Sequence, residues 1–287
     1  MLALNRDAAR YYYSVLQSQE GAAVQAYLDK RRIRRGIAVR FGMGAAPDSW
    51  DALLTAMTHK GYTKQELISA GLAVNGKNGR LYDKFRNRLM LPVIDVRGDV
   101  VGFGSRVLDK SEPKYMNTPE TLTYSKRRIL YGMNLAKKSK RSNIILCEGN
   151  LDVVTLHQAG FDNAVASMGT ALTQEQLRLL SRYTKELVLC YDNDNAGQQA
   201  TRRALELLNN SEFSVKVLQL PRRLVDGEYI KQDADDFIKF QGPAAFERLL
   251  TGSENGVEFR LDQIAGKYDL TDDTQRIAYA QEVSEEL

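Results

Sequence analysis

Residues 143–220 constrain the fold most, because short apolar runs there alternate with helix-patterned segments. Asn143-Ile-Ile-Leu-Cys147 has strand length and ends at Glu148-Gly149. Leu151 to Gln158 has helix-like spacing and stops at Gly160. Asn163-Ala-Val-Ala-Ser167 is a second strand candidate. Thr173 with Gln176 three residues on reads as a capping box for a helix to about Tyr183. Leu187-Val-Leu-Cys-Tyr191 is a third strand, closed by Asp192. Ala200 to Leu208 is a helix, and Ser214 to Leu220 a fourth strand. Strands alternating with helices imply βαβ units and a mainly parallel sheet.

The acids then acquire a place. In an open parallel sheet the ligand crevice lies outside the carboxyl ends of the strands. Glu148 closes one strand, and Asp192 with Asp194 closes another, so these side chains are expected to converge. Asp233, Asp235 and Asp236 form a third cluster, after the fourth strand and a loop. Hard oxygen ligands gathered in one crevice suit Mg²⁺ or Mn²⁺. Without a cation they repel one another. A lone Asp-x-Asp is usually a solvated turn; two acidic strand ends, with Asn195-Ala-Gly197 opening the next helix, are more specific. Asp152 also reads as a first-turn acid favoured by the helix dipole, and Asp236 as helix-entry solvation.

Charge divides the chain. Residues 1–141 carry 26 Lys and Arg against 12 Asp and Glu, and residues 142–287 carry 14 against 24. A basic half beside an acidic half suggests a polyanion on one side and metal ions or a polar partner on the other. Cys147 and Cys190 cannot build a disulfide framework, so a reducing cytosol is the expected setting. With only His59 and His157 besides, a structural zinc site is not expected. No apolar run approaches the ~20 residues that span a bilayer. Residues 1–20 are too polar and aromatic for a signal peptide.

The N-terminal 80 residues read as helical over Asn5–Gln17, Ala22–Lys30 and Trp50–His59. Leu89–Ile94 and Val100–Phe103 read as strands joined at Arg97-Gly98. Residues 241–287 are expected to be helical, over Ala244–Leu250 and Gln275–Leu287. The expected division is a basic α+β part, residues 1–124; an α/β part, 125–240, with its motif core at 142–224; and a truncated helical bundle, 241–287. Arg86 and Arg88, two apart, would share one side of an extended strand. Lys114, Tyr115 and Asn117 combine a cation, a ring and an amide, which suits a nucleotide or a stacked base. Lys126-Arg-Arg128 adds charge for phosphates. Arg31–Arg35 and Lys137–Lys140 read as solvated surface, His157 as a packed or surface side chain, and both cysteines as inert core.

Glu148-Gly149 with Asp152, and Tyr191-Asp-Asn-Asp-Asn-Ala-Gly197, resemble the Toprim domain of primases, topoisomerases and some nucleases. Phe85-Arg-Asn-Arg-Leu-Met90, Gly102-Phe-Gly-Ser-Arg106, Pro113 to Thr121, Leu130 to Ala136, Ala166 to Thr173 and Tyr27 to Arg31 narrow this to bacterial DnaG-type replicative primases. The resemblance runs in order along nearly the whole chain. It implies a central Toprim domain between a basic subdomain and a small helical bundle. The activity implied is RNA-primer synthesis on single-stranded DNA at the bacterial replication fork, in the cytoplasm, by metal-dependent nucleotidyl transfer from NTPs. Glu148, Asp192 and Asp194 would be catalytic, and two or more Mg²⁺ or Mn²⁺ ions would lie among Glu148, Asp192, Asp194, Asp233 and Asp235. Glu148 is a ligand or a general base. Arg86, Arg88, Lys114, Tyr115, Asn117 and Lys126 would meet nucleotide or DNA.

The sequence departs from the family at Asn150, where Tyr is usual, at Asn193, where Gly is usual, and at Ala234, where Pro is common. It has no zinc-spaced Cys/His set and no helicase-binding region after Leu287, so an isolated core is expected, with neither zinc nor direct helicase contact. Two other readings stay open at this point: a Toprim nuclease or topoisomerase fragment, and a nucleic-acid-binding module with a vestigial acidic site.

Overall fold

The computed structural model describes residues 1–76, 79–209, 211–225, 228–270 and 272–286. It divides into two compact units, Met1–Lys140 with Gly149–Thr170, and Arg141–Glu148 with Ala171–Leu287.

In the first unit, helix Leu2–Leu16 places Leu4, Ala8 and Tyr12 on one stripe, all buried. They join Leu53, Leu54 and Met57 of helix Ala52–His59, with Leu67, Phe85, Met90 and Phe103, in one apolar core. An antiparallel sheet runs in the order Gly44–Ala46, Arg88–Ile94, Val100–Val107, Tyr115–Asn117. Strand Arg88–Ile94 is buried at every position but its last, which explains the unbroken apolar run that follows Arg88. Pro92 lies beyond the reach of the three-residue neighbour Gly44–Ala46, so its missing N–H leaves no ladder bond unmade there. The Asp95 carboxylate accepts the amides of Arg97, Gly98 and Asp99 and closes the expected turn. This unit also holds helix Asn150–Gln158 and strand Ala164–Ala166, which bridges to Tyr131.

In the second unit, strands Asn143–Cys147, Glu186–Cys190 and Ser214–Val217 form a parallel sheet with Glu186–Cys190 in the middle. Strand Glu254–Asn255 adds an antiparallel edge. Leu187, Val188 and Leu189 are fully buried, as a strand covered on both faces must be. Thr173 and Gln176 form the expected capping box of helix Gln174–Leu180. Helix Asn195–Leu208 opens at Asn195-Ala-Gly197 as expected, ahead of its apolar pattern from Ala200, and Asp194 caps it. The fourth expected strand, Ser214 to Leu220, ends at Val217, and within the loop expected after it Arg223–Val225 and Glu228–Ile230 pair as a small antiparallel ladder. Helices Ala234–Gln241, Pro243–Thr251, Gly256–Ala265 and Asp273–Glu286 complete the described chain. The end of the last expected helix, Leu287, lies outside the described residues.

Candidate active site

The parallel register pairs Cys147 with Cys190, so the chain leaves both strands at one level. Glu148 and Asp192 therefore meet: the Asp192 amide donates to Glu148 Oε1 at 3.1 Å. The loop packs so closely that a Cβ on Gly197 would lie 2.0 Å from the Asp192 carbonyl oxygen and 2.8 Å from Glu148 Oε1. Glycine is the residue that fits. Asp194 faces two partners. Its Oδ1 accepts the Gly197 amide at 2.8 Å, and its Oδ2 takes Lys231 Nζ at 2.6 Å.

Asp233 caps helix Ala234–Gln241 by accepting the Asp236 amide at 2.7 Å. One carboxylate oxygen from each of Asp233, Asp235 and Asp236 lies within 4.8 Å of the others. Asp235 is buried beside Lys239. Ala234 is the first residue of its helix, a position where proline fits equally well, so this departure leaves the backbone unchanged. Asn193 bonds the Leu220 carbonyl and Gln198, tying the acidic loop to the chain after the third parallel strand.

The charges respond to this crowding. Burial and then the Asp192 charge push the Glu148 carboxyl above its ordinary pKa. Burial, then Asp233 and Asp194, do the same to Asp192. Asp194 is held below its ordinary value, chiefly by the Lys231 hydrogen bond. Buried carboxylates whose charges also repel one another, and which offer hard oxygen donors, fit a divalent cation.

The basic candidates lie in the first unit and do not form one row. Asn87 has φ +48°, which breaks the strand before Arg88, so Arg86 and Arg88 do not alternate along an extended chain as expected. Arg86 stacks on Trp50 and Tyr82, at 4.3 and 5.0 Å from the ring centroids. Arg88 is only 6% exposed and donates to the Pro113 carbonyl at 3.0 Å. Tyr115 lies opposite Arg106 in the ladder, and the Arg106 guanidinium and Lys114 ammonium lie 5.0 and 5.8 Å from its ring. Asn117 Nδ2 donates to the Met168 carbonyl at 3.3 Å, and Met168 adopts φ +62°. The Lys126 amide is held by Glu120.

Several residues at these sites escaped the sequence. Lys231 has no local signature, since its partner is 37 positions away. Asp236 lies in the first turn of its helix, as expected, and its oxygen also lies close to those of Asp233 and Asp235. Arg106 and Tyr27, with the guanidinium 5.6 Å from the ring, stood in recognised segments without an assigned role.

Residues 11–137 match the family described as DNA primase catalytic core, N-terminal domain, and residues 145–238 match the Toprim-like family. The DNA primase of Clostridium acetobutylicum is 42% identical over 286 residues, 99% of this chain and 46% of that protein. A structure of the DnaG primase catalytic domain bound to single-stranded DNA superposes with a TM-score of 0.84. The two are 34% identical, over 96% of this chain and 86% of that one. The chain belongs to the DnaG primase family. The RNA polymerase domain of Mycobacterium tuberculosis primase DnaG, in complex with double-stranded DNA carrying a 6-nucleotide overhang, gives a TM-score of 0.83 at 35% identity. That match covers 99% of this chain and 89% of the other. The segment thus spans about half the length of the curated DnaG relative, and it carries both parts of the catalytic core in order. Among the described residues, no helix is long and apolar enough to cross a membrane.

Proposed function

We propose that this chain is a primer-synthesising core: a DNA-dependent RNA polymerase that joins NTPs on a single-stranded DNA template in the bacterial cytoplasm. The observation that carries the reading is the convergence of Glu148 and Asp192 at adjacent parallel strand ends, in a chain of this family. Both rival readings lose ground. All the carboxylates of the motif are present, against a vestigial site, and the likeness to DnaG cores extends beyond the Toprim segment, against a nuclease or topoisomerase fragment.

Asp192, Asp194, Asp233, Asp235 and Asp236 would hold Mg²⁺ or Mn²⁺. When bound, such ions make the attacking hydroxyl more acidic and offset charge on the leaving group. In the reaction the 3′-oxygen of the growing strand attacks the α-phosphorus of an NTP, the bond to the β-phosphate oxygen breaks, and pyrophosphate leaves. We assign Glu148 as acceptor of the 3′-hydroxyl proton. Its Oε1 is oriented by the Asp192 amide, and burial raises its proton affinity toward that of a working base. Lys231 pairs with Asp194, and its charge also acts on Glu148 and Asp192. Arg86, Lys114, Tyr115, Asn117 and Lys126 would meet template or NTP, with Arg88 acting from a buried position. The three-part division at residues 124 and 240 belongs to the same proposal, as does helicase contact through sequence outside the matched segment.

The test is incubation with single-stranded DNA and labelled NTPs, with Mg²⁺ or Mn²⁺. Short template-dependent RNA is expected. Absence of RNA, with nicking or relaxation of a supercoiled plasmid instead, would overturn the reading.

A further inference from the structure

The acids of the candidate metal centre come from two stretches of chain. Glu148, Asp192 and Asp194 follow neighbouring parallel strands, whereas Asp233, Asp235 and Asp236 open helix Ala234–Gln241. Like charges that face each other push such a site open, and the Asp233 charge acts directly on Asp192. Lys231 crosses to Asp194, but it is exposed, and a bound cation competes with its ammonium for the same carboxylate. A tie that survives metal binding must be neutral.

Asn193 and Gln232 supply one. Asn193 stands between Asp192 and Asp194, and its Nδ2 donates to the Leu220 carbonyl at 3.1 Å. Gln232 immediately precedes Asp233, and its Nε2 donates to the Pro221 carbonyl at 2.7 Å. The two acceptors are consecutive in the chain, and they are firmly held. Leu220 is buried, and just before it the Leu218 amide donates to the Leu189 carbonyl at 2.9 Å, which extends the sheet ladder. The Pro221 ring fixes the φ that relates the two carbonyls. The amides are oriented as well. Gln198 Nε2 donates to Asn193 Oδ1 at 3.3 Å, which leaves Nδ2 to face Leu220. Gln232 is buried, so water does not compete for its bond to Pro221.

We propose that Asn193 and Gln232, joined through Leu220-Pro221, form a strut that sets the spacing between the two acid groups and so favours the small Mg²⁺ over the larger Ca²⁺. Both are positioning residues, and the proposal rests on the metal-centre reading given above. Mg²⁺ demands near-octahedral oxygens at about 2.0–2.1 Å, whereas Ca²⁺ accepts irregular sets at about 2.3–2.6 Å. A site free to widen therefore loses the first ion more than the second. The two bonds act in series, so breaking either one releases the spacing.

The intact chain is titrated with Mn²⁺ by electron paramagnetic resonance, and bound Mn²⁺ is then displaced by Mg²⁺ or by Ca²⁺. Asn193→Ala should weaken Mg²⁺ roughly tenfold, in line with other residues that orient metal ligands, and Ca²⁺ less. Gln232→Met keeps the length of the side chain, loses the donor and should do the same. The double variant should lose little more than either single variant, as coupled residues do. Urea unfolding with a chelator present checks that each variant folds. Gln198→Ala only frees the Asn193 amide to turn; it should shift the ratio of Mg²⁺ to Ca²⁺ affinity in the same direction, and it carries the test if another variant does not fold. Unchanged Mg²⁺ affinity in the folded variants, equal losses for Mg²⁺ and Ca²⁺, or additive losses in the double variant would overturn the strut and leave the metal centre standing. No Mn²⁺ uptake by the parent would remove the metal-centre reading, and the strut with it.

Discussion

Asp194 both accepts the Gly197 amide and pairs with Lys231, so charge and cap can be separated by substitution. Asp194→Asn keeps an oxygen for the cap but removes the charge. It should melt close to the parent and lose two or more orders of magnitude in primer synthesis, since cation-held stabilisation is worth several kcal/mol. Asp194→Ala should lose a further ~1 kcal/mol of stability, the usual value of an N-cap. Full synthesis by Asp194→Asn would remove this charge from the mechanism. Two buried groups in the first unit make opposite predictions about pH. His157 is 3% exposed, donates from Nε2 to the Ala164 carbonyl, and burial lowers its pKa to about 4. The unfolded chain binds a proton there near pH 6.5 and the native chain does not, so stability falls as pH drops from 6.5 toward 4. Burial raises Asp83 to about 6, so the native chain keeps a proton that the unfolded chain has released, and stability falls as pH rises from about 4 to 6. Each effect is on the order of 3 kcal/mol, and across pH 4–6 they oppose each other. Urea midpoints should rise more steeply with pH across this window in Asp83→Asn than in the parent. In His157→Gln they should fall with pH. Equal slopes in all three proteins would contradict both assignments.

At the scale of elements, the strand–loop–helix turn from Cys190 to Gly197 shapes the acidic site. Gly197→Ala would drive a Cβ against the Asp192 carbonyl, and backbone rather than a flexible side-chain tip must yield. Overpacking of this kind costs about 1–3 kcal/mol, and here the displaced atoms belong to the site. Both melting temperature and primer synthesis should drop; an unchanged protein would mean that the loop is looser than described. This turn was legible in sequence because its signals are local: an apolar run, an acid to stop it and a small residue to enter the helix. The capping box at Thr173 and the hairpin turn at Arg97-Gly98 were legible for the same reason. What escaped depends on contacts between distant residues. Lys231 reaches Asp194 only through the fold. The pairing of Arg223–Val225 with Glu228–Ile230 was read as loop because three-residue runs are too short for alternation to register. Arg88 was placed on a surface because it is charged, yet the strand it opens is covered by the sheet and the Pro113 segment. Arg86 lost its expected register because Asn87 adopts a left-handed conformation that period-2 reasoning does not anticipate.

For the molecule as a whole, the charge division along the chain acquires a physical sense once the units are considered one at a time. The acid-rich half contains every carboxylate of the candidate metal set, and a cation bound there offsets their mutual repulsion. Ligand that binds the native state alone stabilises it by mass action, so metal, melting and chemistry should respond together. A Mn²⁺ titration followed by electron paramagnetic resonance, comparing the parent with an Asp192→Asn, Asp194→Asn double variant, tests the metal centre most directly. The parent should take up Mn²⁺, with its tightest site at least tenfold weaker in the double variant. Equal Mn²⁺ affinity in the two proteins, or no uptake by the parent, would contradict the claim that these strand-end acids form the metal centre of a polymerase.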